Sequence, residues 1–280
     1  MEHLTGSRRS HSASLWALVG SIWNNDELVL QLAKREVLTR YRGSVFGLAW
    51  SFFYPVLMLL VYTFVFSVAF KARWGTGENE TKTDFAIILF IGLIIHGLLA
   101  ECLNRAPGLI LNNASYVKKI VFPLEILPWV VAGGALFHAA VSLLVLLMAQ
   151  LFLKHALPWT VVFMPIVIMP LLLGTVGLTW LLSSIGVYVR DVGQTVGALT
   201  TILLFLSPVF YPVESLPAFF RFLIQLNPLT FIVEEARSVL IWERLPNWCG
   251  LFAYTAVSLL VWWIGFWWFQ RTRTGFADVI

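Results

Sequence analysis

The chain has 280 residues, of which 59% are hydrophobic and only 12% are charged. Soluble globular domains carry about 25% charged residues, so this composition excludes an ordinary soluble domain. The net charge of +4 is explained by the basic loops that orient a membrane protein, without a nucleic-acid partner. Cys102 and Cys249 lie far apart and lack metal-ligand spacing, so neither a disulfide framework nor a metal site is expected.

The first 46 residues precede any apolar span. Residues 1–25 are polar or mixed, without the short apolar core of a signal peptide, and we predict a cytoplasmic N-terminal tail. Residues 26–46 predict a basic amphipathic helix at the membrane interface. One side of it carries Leu30, Ala33, Val37, Leu38, Tyr41 and Val45. Such a helix either anchors the chain in the headgroup plane or also docks a partner on a second apolar side.

Long apolar runs predict an all-α polytopic membrane protein, because a hydrocarbon core of about 30 Å requires about 20 residues per helix. Six spans are predicted within a transmembrane domain at residues 47–280. They lie at Gly47–Phe70, Phe85–Leu103, Trp129–Leu153, Trp159–Val187, Gln194–Phe210 and Cys249–Phe269. Because the fourth is long and the fifth is short, we expect tilt or partial burial there.

The distribution of basic residues predicts the orientation. An even number of spans places both termini on one side of the membrane. With the termini in the cytoplasm, inner segments carry 12 of the 19 Lys and Arg residues and outer segments carry 7. The positive-inside rule therefore favours a multi-pass inner-membrane protein with both termini cytoplasmic.

The inner loop between spans two and three covers residues 111–128. Asn112, Asn113 and Ser115 are residues typical of helix starts, and Pro123 ends a helix, so a short helix is predicted at 114–121. With Lys118 and Lys119, this loop is either a rigid basic knob that enters another protein or a solvated loop with orienting charges. Arg190 and Asp191 form a second, much shorter inner turn between spans four and five.

The segment after span five is apolar but interrupted by proline. Pro208, Pro212, Pro217 and Pro228 divide it, and two short helices are predicted at residues 216–226 and 230–241. Irregular backbone at membrane depth is stable only when protein or a cavity surrounds it. Residues 211–248 therefore form either a re-entrant hairpin in the outer leaflet or an amphipathic hairpin on the outer surface.

Motifs for catalysis and nucleotide binding do not occur in the sequence. There is no G-x-S-x-G, H-E-x-x-H or phosphate-binding loop, and the span centres are nearly free of ionisable residues. Energy for uphill transport would have to come from another subunit. Aromatic residues recur in the first span, where Tyr62, Phe66 and Phe70 are four apart, with Phe52 and Phe53 upstream. They either pack between helices or give a polysaccharide a track of aromatic faces.

Four segments carry a resemblance to a known family. They are REVLTRYRGSVFGLAWSFFYP (35–55), ECLNRAPGLILNNASYVKKIVFPLEILP (101–128), RDVGQ (190–194) and LSPVFYPVESLP…LNPLTFIVEEAR (206–237). In this order, and over nearly the whole chain, the sequence resembles the transmembrane subunit of ABC-2 type polysaccharide exporters. Within that family it is similar to lipopolysaccharide O-antigen permeases, with capsule and teichoic-acid permeases as near relatives.

The resemblance implies a homodimer that works with two cytoplasmic ATP-binding subunits, which bind ATP and Mg²⁺ while this chain binds no cofactor. The interfacial helix and the inner loop would couple to the ATPase through Arg35, Tyr116, Val117, Lys118 and Lys119. The hairpin at 211–248 would form the periplasmic gate, with Pro208, Pro212, Pro217 and Pro228 shaping it.

In such an exporter the pore runs along the dimer interface, with spans one and five as its walls. The aromatic residues assigned to it are Phe52, Phe53, Tyr62, Phe66, Phe70, Phe205, Phe210 and Tyr211. The implied cargo is a glycan on undecaprenyl diphosphate, and Arg40, Arg42 and Arg190 are our candidates for contacts with its phosphates. Two alternatives remain open. The same fold could export teichoic acid, capsule or a small amphiphilic drug, or the chain could be an intramembrane glycan-modifying enzyme.

Overall fold

A computed structural model describes residues 20, 23–69, 74, 82–118 and 122–280. The predicted tail at 1–25 lies almost wholly outside the described residues, as do Phe70 and Lys119. In the described part of the chain all regular secondary structure is helical. The α-helices are α1 (Asp26–Arg40), α2 (Trp50–Tyr62), α3 (Lys82–Arg105), α4 (Ala114–Val117), α5 (Leu127–Lys154), α6 (Met164–Tyr188), α7 (Val192–Leu206), α8 (Ala218–Gln225), α9 (Pro228–Leu240), α10 (Trp248–Thr272) and α11 (Phe276–Val279).

Five helical segments among the described residues are long and apolar enough to cross a membrane. They are Gly47–Phe66, Asp84–Arg105, Leu124–Leu153, Trp159–Tyr188 and Trp248–Val279, and they correspond to predicted spans one to four and six. The first includes a π-helical stretch, Thr63–Ala69, that continues α2. At the predicted fifth span the structure has α7, an apolar helix of 15 residues that measures about 22 Å at 1.5 Å per residue.

α3 forms the centre of the bundle. In an apolar window of 18 residues within its span 78% of the residues are buried inside the protein, against 11% in the corresponding window of the first span, so α2 lies at the periphery. α6 packs on α10 with almost no side chain between them at Gly177, where an added Cβ would lie 2.6 Å from the Cα of Trp262. Glycine is required there because backbone of α10 occupies the space of a larger residue.

The bundle has two distinct ends. At the charged end, α3 finishes at Arg105, α5 begins at Leu127 and α1 lies alongside. At the hairpin end, α3 begins and α8 and α9 pack. α7 joins the two ends and lies beside α3. The carbonyl oxygen of Thr200 lies 2.9 Å from His96 Nε2, and the Thr200 hydroxyl donates to Asn104 Oδ1 at 3.1 Å.

The hairpin helices, α8 and α9, differ in burial. α9 packs on α3 and α6 and buries most of its length. α8 instead turns a broad apolar face outward. The exposed fractions on that face run from 47 to 69%, for Phe219, Phe220, Phe222, Leu223 and Leu226. Both helices lie within two residues of the predicted bounds, since Pro217 and Pro228 fix where each helix begins.

α1 packs against α5. An added Cβ on Gly133 would lie 3.0 Å from the Ala33 side chain, and one on Gly134 would lie 3.5 Å from Glu36. Ala33 and Val37 are buried in this contact. The other predicted apolar positions, Leu30, Leu38 and Val45, are exposed, and α1 ends at Arg40, six residues before the predicted end at 46. The buried strip of α1 is therefore narrower than the sequence pattern suggests.

Candidate functional site

A row of aromatic rings connects α2 with the segment that follows α7. The ring centroid of Phe66 lies 6.4 Å from that of Tyr62 and 5.8 Å from that of Phe210, and Phe210 stacks on Phe205 at 5.6 Å. The Tyr211 hydroxyl donates to the carbonyl oxygen of Phe205 at 2.9 Å. These five residues, all predicted as pore aromatics, lie together, and we call them the aromatic row.

The other predicted aromatics lie elsewhere. Phe52 and Phe53 are near the start of α2, with ring centroids 6.3 Å apart, and Phe53 also contacts Phe46 at 5.9 Å. They belong to a separate aromatic patch toward the charged end. The side chain of Phe205, with 61% exposure, is the part of the aromatic row most open to a ligand.

At the hairpin end a buried arginine ties three segments together. Arg237 of α9 has no exposed surface and donates to the carbonyl oxygens of Ile88 and Val209, both at 3.3 Å. Its third donor reaches Glu234 at 2.9 Å. Burial lowers the pKa of Arg237 to about 10, with Glu234 acting in the opposite direction, so the guanidinium is charged at neutral pH. We call this arrangement the arginine clasp.

The four prolines predicted at the gate lie between the end of α7 and the start of α9. Pro208 is buried in the turn after α7, and Pro212 is half-buried. Pro217 and Pro228 are exposed immediately before α8 and at the first position of α9. The Asn227 side chain accepts from the backbone N–H of Leu229 at 2.9 Å and donates to the carbonyl oxygen of Leu206 at 3.2 Å. The turn between α8 and α9 is thus fixed to the end of α7.

At the charged end, α1, α3 and α5 contribute to a cluster of ionisable side chains, which we call the charged cluster. Arg40 donates to Glu101 at 2.5 Å, and His138 Nδ1 lies 2.9 Å from the other oxygen of that carboxylate. Arg105 forms an ion pair with Glu36. Burial raises the pKa of Glu36, while Arg105 acts in the opposite direction. The cluster holds α1 against two spans by electrostatic contacts.

Two cavities meet at the charged cluster. A cleft of about 500 Å³ opens beside α1 and is lined by Arg35, Arg40, Arg105 and Tyr116 among others. A groove of about 330 Å³ runs between α2, α3 and α5 from Glu101 and His138 to Tyr62. Tyr62 is also the first ring of the aromatic row. The groove and the aromatic row therefore adjoin at Tyr62.

The inner loop contains a short helix where the sequence predicts one at 114–121. This helix is α4, Ala114–Val117, and residues 119–121 lie outside the described residues. Tyr116 and Phe122 stack across the loop with centroids 4.2 Å apart and planes 10° apart. Lys118 is exposed. Arg35 of the predicted coupling set lines the same cleft as Tyr116, so the structure brings the interfacial helix and the loop to one face.

The three arginines assigned to lipid phosphates are separated. Arg40 is engaged in the charged cluster. Arg42 is exposed just after α1, and Arg190 is exposed in the turn between α6 and α7. Sequence reasoning missed Glu36, Glu101, Arg105 and His138 as a unit. A signal was present, because Glu36 with Arg40 and Glu101 with Arg105 are each four residues apart on one helix face.

Among the described residues, no three His, Cys, Asp or Glu side chains are placed to hold a metal ion.

Comparison with known proteins gives the family. The model of the ABC-2 type transporter family matches residues 27–241. The chain is 28% identical to the O-antigen export system permease protein RfbA of Myxococcus xanthus, over 94% of this chain and 99% of that protein. It is 24% identical to an RfbA of Klebsiella pneumoniae over 84% of this chain and 85% of that protein. It is 23% identical to the polysialic acid transport protein KpsM of Escherichia coli over 72% and 77% of the two chains. The chain therefore belongs to the ABC-2 type transporter family and is a transporter subunit, not an enzyme.

Proposed function

We propose that this chain is the permease subunit of an ATP-driven exporter that moves O-antigen polysaccharide, linked to undecaprenyl diphosphate, from the cytoplasm to the periplasm. The observation that carries the proposal is the groove that leads from the charged cluster to Tyr62, where the aromatic row begins. Cationic side chains at one end suit a phosphate headgroup. Aromatic faces further along suit a sugar chain that must move past them without binding at one specific site.

The proposed membrane arrangement has six crossings, with both termini in the cytoplasm. α7 and the turn at residues 207–211 provide the fifth crossing, because they join the charged end to the hairpin end beside α3. The charged end then faces the cytoplasm, in accordance with the excess of basic residues there. The hairpin enters from the periplasmic side, with α9 surrounded by protein, and acts as the gate.

The proposed assembly is a homodimer with two ATP-binding subunits, which bind ATP and Mg²⁺. Support for the dimer comes from α2 and α7, whose outward apolar faces carry Leu57, Leu60, Phe64, Leu199 and Ile202. Two copies facing each other across these helices would enclose the aromatic row in a pore.

Coupling to the ATPase is assigned to the face that α1 and the loop at 111–128 share. Arg35, Tyr116, Val117, Lys118 and Lys119 are the proposed contacts. Because α1 is joined to α5 through Gly133 and to α3 through the charged cluster, a displacement of this face would move two spans directly. The exposed Arg42 and Arg190, with Arg40 at the entrance to the groove, are the proposed contacts for the lipid diphosphate.

A second cargo is favoured by one observation. The similarity to KpsM, a polysialic acid transport protein, covers 72% of this chain. The groove and the aromatic row would accept a capsular polymer equally well, because aromatic stacking does not read sugar identity.

The decisive experiment is reconstitution in cells. Strains that lack their own O-antigen or polysialic acid permease receive this chain together with a tagged candidate ATPase, and surface polymer is measured. We expect surface O-antigen to return, the ATPase to co-purify, and hydrolysis to depend on this subunit. Surface polysialic acid without O-antigen would favour the second cargo. Failure of the chain to bind any ATPase would contradict both.

The arrangement in the membrane is tested separately. Single cysteines at Ser215 and Ser115 are introduced in a variant whose Cys249 is replaced by serine. A membrane-impermeant maleimide applied to intact spheroplasts is expected to label the first and not the second. The reverse result would contradict the proposed orientation, and labelling of both would contradict the number of crossings. Crosslinking between single cysteines at Leu199 in two copies tests the homodimer.

A further inference from the structure

We propose that the C-terminal segment of this chain, Arg273–Ile280, is a brace for the inner loop and is required for coupling between ATP hydrolysis and transport. This inference rests on the coupling role proposed for the loop at 111–128. It adds a part of the chain that neither the family match, which ends at residue 241, nor the sequence pattern connects with that role.

The first contact of the brace is ionic. The Arg273 guanidinium donates to Glu125 at 2.6 Å and to the carbonyl oxygen of Phe122 at 3.1 Å. Both charged side chains are only 14% exposed. Glu125 and Phe122 belong to the second half of the loop, so one side chain at the end of α10 holds two of its residues. Charge-assisted bonds of this kind are shorter and stronger than neutral ones.

The second contact is apolar. Phe276 has no exposed surface and belongs to the same buried cluster as Leu109 and Ile110, just before the loop, and Leu124 within it. Tyr116, Phe122 and Ile280 pack on this cluster. The loop therefore rests on a base to which the last residues of the chain contribute directly.

The C-terminal segment also contacts α6. The Tyr188 hydroxyl at the end of α6 donates to the carbonyl oxygen of Thr272 at 3.1 Å. An added Cβ on Gly275 would lie 2.6 Å from that hydroxyl, so glycine permits the approach. The Trp180 indole N–H donates to the carbonyl oxygen of Glu125 at 3.0 Å. The loop, the C-terminal segment and α6 thus form one connected unit.

This geometry gives Arg273 a positioning role. A loop that transmits force from a second protein must keep its shape under load, because a deformable loop absorbs the displacement. α4 has only four residues and cannot supply that rigidity alone, since isolated helices of that length are unstable. The brace supplies the missing support from the end of α10 and links the loop to a third span.

The test compares Arg273→Gln, Glu125→Gln and the exchanged pair Arg273→Glu with Glu125→Arg. Arg271→Gln is the matched control, because Arg271 is exposed and faces the Trp267 ring at 5.8 Å. The purified chain in lipid nanodiscs, alone and with its ATPase, is examined by hydrogen exchange of the peptides from residues 111–128. Surface polymer and ATP hydrolysis are measured for the same variants, normalised to the amount of protein in the membrane.

We expect the single variants to exchange these amides at least about fivefold faster and to export at least about fivefold less polymer per ATP hydrolysed, the range typical of coupling between sites. The exchanged pair should recover part of both, because it restores the ion pair but not the bond to the carbonyl oxygen of Phe122, and the control should change neither. Unchanged exchange in Arg273→Gln would overturn the brace. Faster exchange with unchanged export per ATP would contradict the coupling role of the loop, and the inference would fall with it. If a single variant does not accumulate, recovery by the exchanged pair decides the question.

Discussion

The guanidinium carbon of Arg237 lies 4.4 Å from the centroid of the Trp74 ring, and its three donor groups face Ile88, Val209 and Glu234. The clasp therefore joins α9, the start of α3, the turn after α7 and Trp74. A buried cation with this many partners organises the hairpin end as a single body, because removing it takes a charged donor from two buried carbonyl oxygens.

Replacement of Arg237 by Met is expected to lower the free energy of unfolding by about 2–4 kcal/mol, since two buried carbonyl oxygens lose charged donors. Glu234, which is partly exposed, contributes little to this loss because water can solvate it. Thermal unfolding in nanodiscs, followed by tryptophan fluorescence, measures the effect. Arg244→Met is the control, because Arg244 is exposed near the same end. Equal stability of Arg237→Met and wild type would refute the clasp.

Replacement of Phe66 or Phe210 by Leu is expected to reduce export about three- to tenfold. An aromatic contact contributes about 0.5–1.5 kcal/mol beyond area burial, and leucine retains apolar volume but not the ring face. Phe210→Tyr should export normally. The control is Phe252→Leu, because Phe252 is 80% exposed on α10, away from the aromatic row. Surface polymer per cell is the measurement, and normal export by both leucine variants would remove the row from the pore.

Glu101→Gln is expected to loosen α1. The amide cannot pair with Arg40 as a carboxylate does, and hydrogen bonds to charged groups contribute about 1.5–3 kcal/mol, which partial exposure of Arg40 reduces. Amide exchange of residues 30–40 should rise about tenfold in nanodiscs. Glu27→Gln serves as the control, because Glu27 is exposed at the start of the same helix. If the amides of residues 30–40 exchange at the same rate in Glu101→Gln and Glu27→Gln, the charged cluster does not hold α1.

The double variant Arg42→Gln with Arg190→Gln is expected to bind the diphosphate lipid about thirtyfold more weakly without a change in thermal stability. Each basic residue near an anionic headgroup contributes about 1 kcal/mol, and neither side chain supports the fold. Binding of radiolabelled undecaprenyl diphosphate to the purified protein measures the loss. Arg271→Gln controls for net charge at that end. Undiminished binding would exclude these two arginines as headgroup contacts.

Much of the architecture follows from features that act locally. Apolar runs of 20 or more residues predict five of the helices now seen, because span length depends on bilayer thickness alone. The hairpin was predictable because proline determines where a helix can begin. The five residues of the aromatic row were among eight predicted pore aromatics, but spacing along the first span could not show that Phe66 lies against Phe210, 144 positions later.

The features that could not be predicted depend on the tertiary fold. Glu101 joins Arg40 and His138 across 61 and 37 positions, and only the packing of α1 and α3 on α5 brings them together. The C-terminal segment looked like the ordinary end of a span, since an Arg and a Phe after a tryptophan-rich helix are typical of a membrane interface. Leu30 and Leu38, on the apolar side predicted for an interfacial helix, lie outside the narrow contact with α5.

The close fit between Ala33 and Gly133 has a consequence for engineering hybrid exporters. A permease whose N-terminal helix is exchanged for that of a relative, in order to accept a foreign ATPase, would bring an unmatched surface against α5. Hybrids should therefore transplant residues 26–40 and 127–138 as one block, with Glu101 retained as their shared counter-ion.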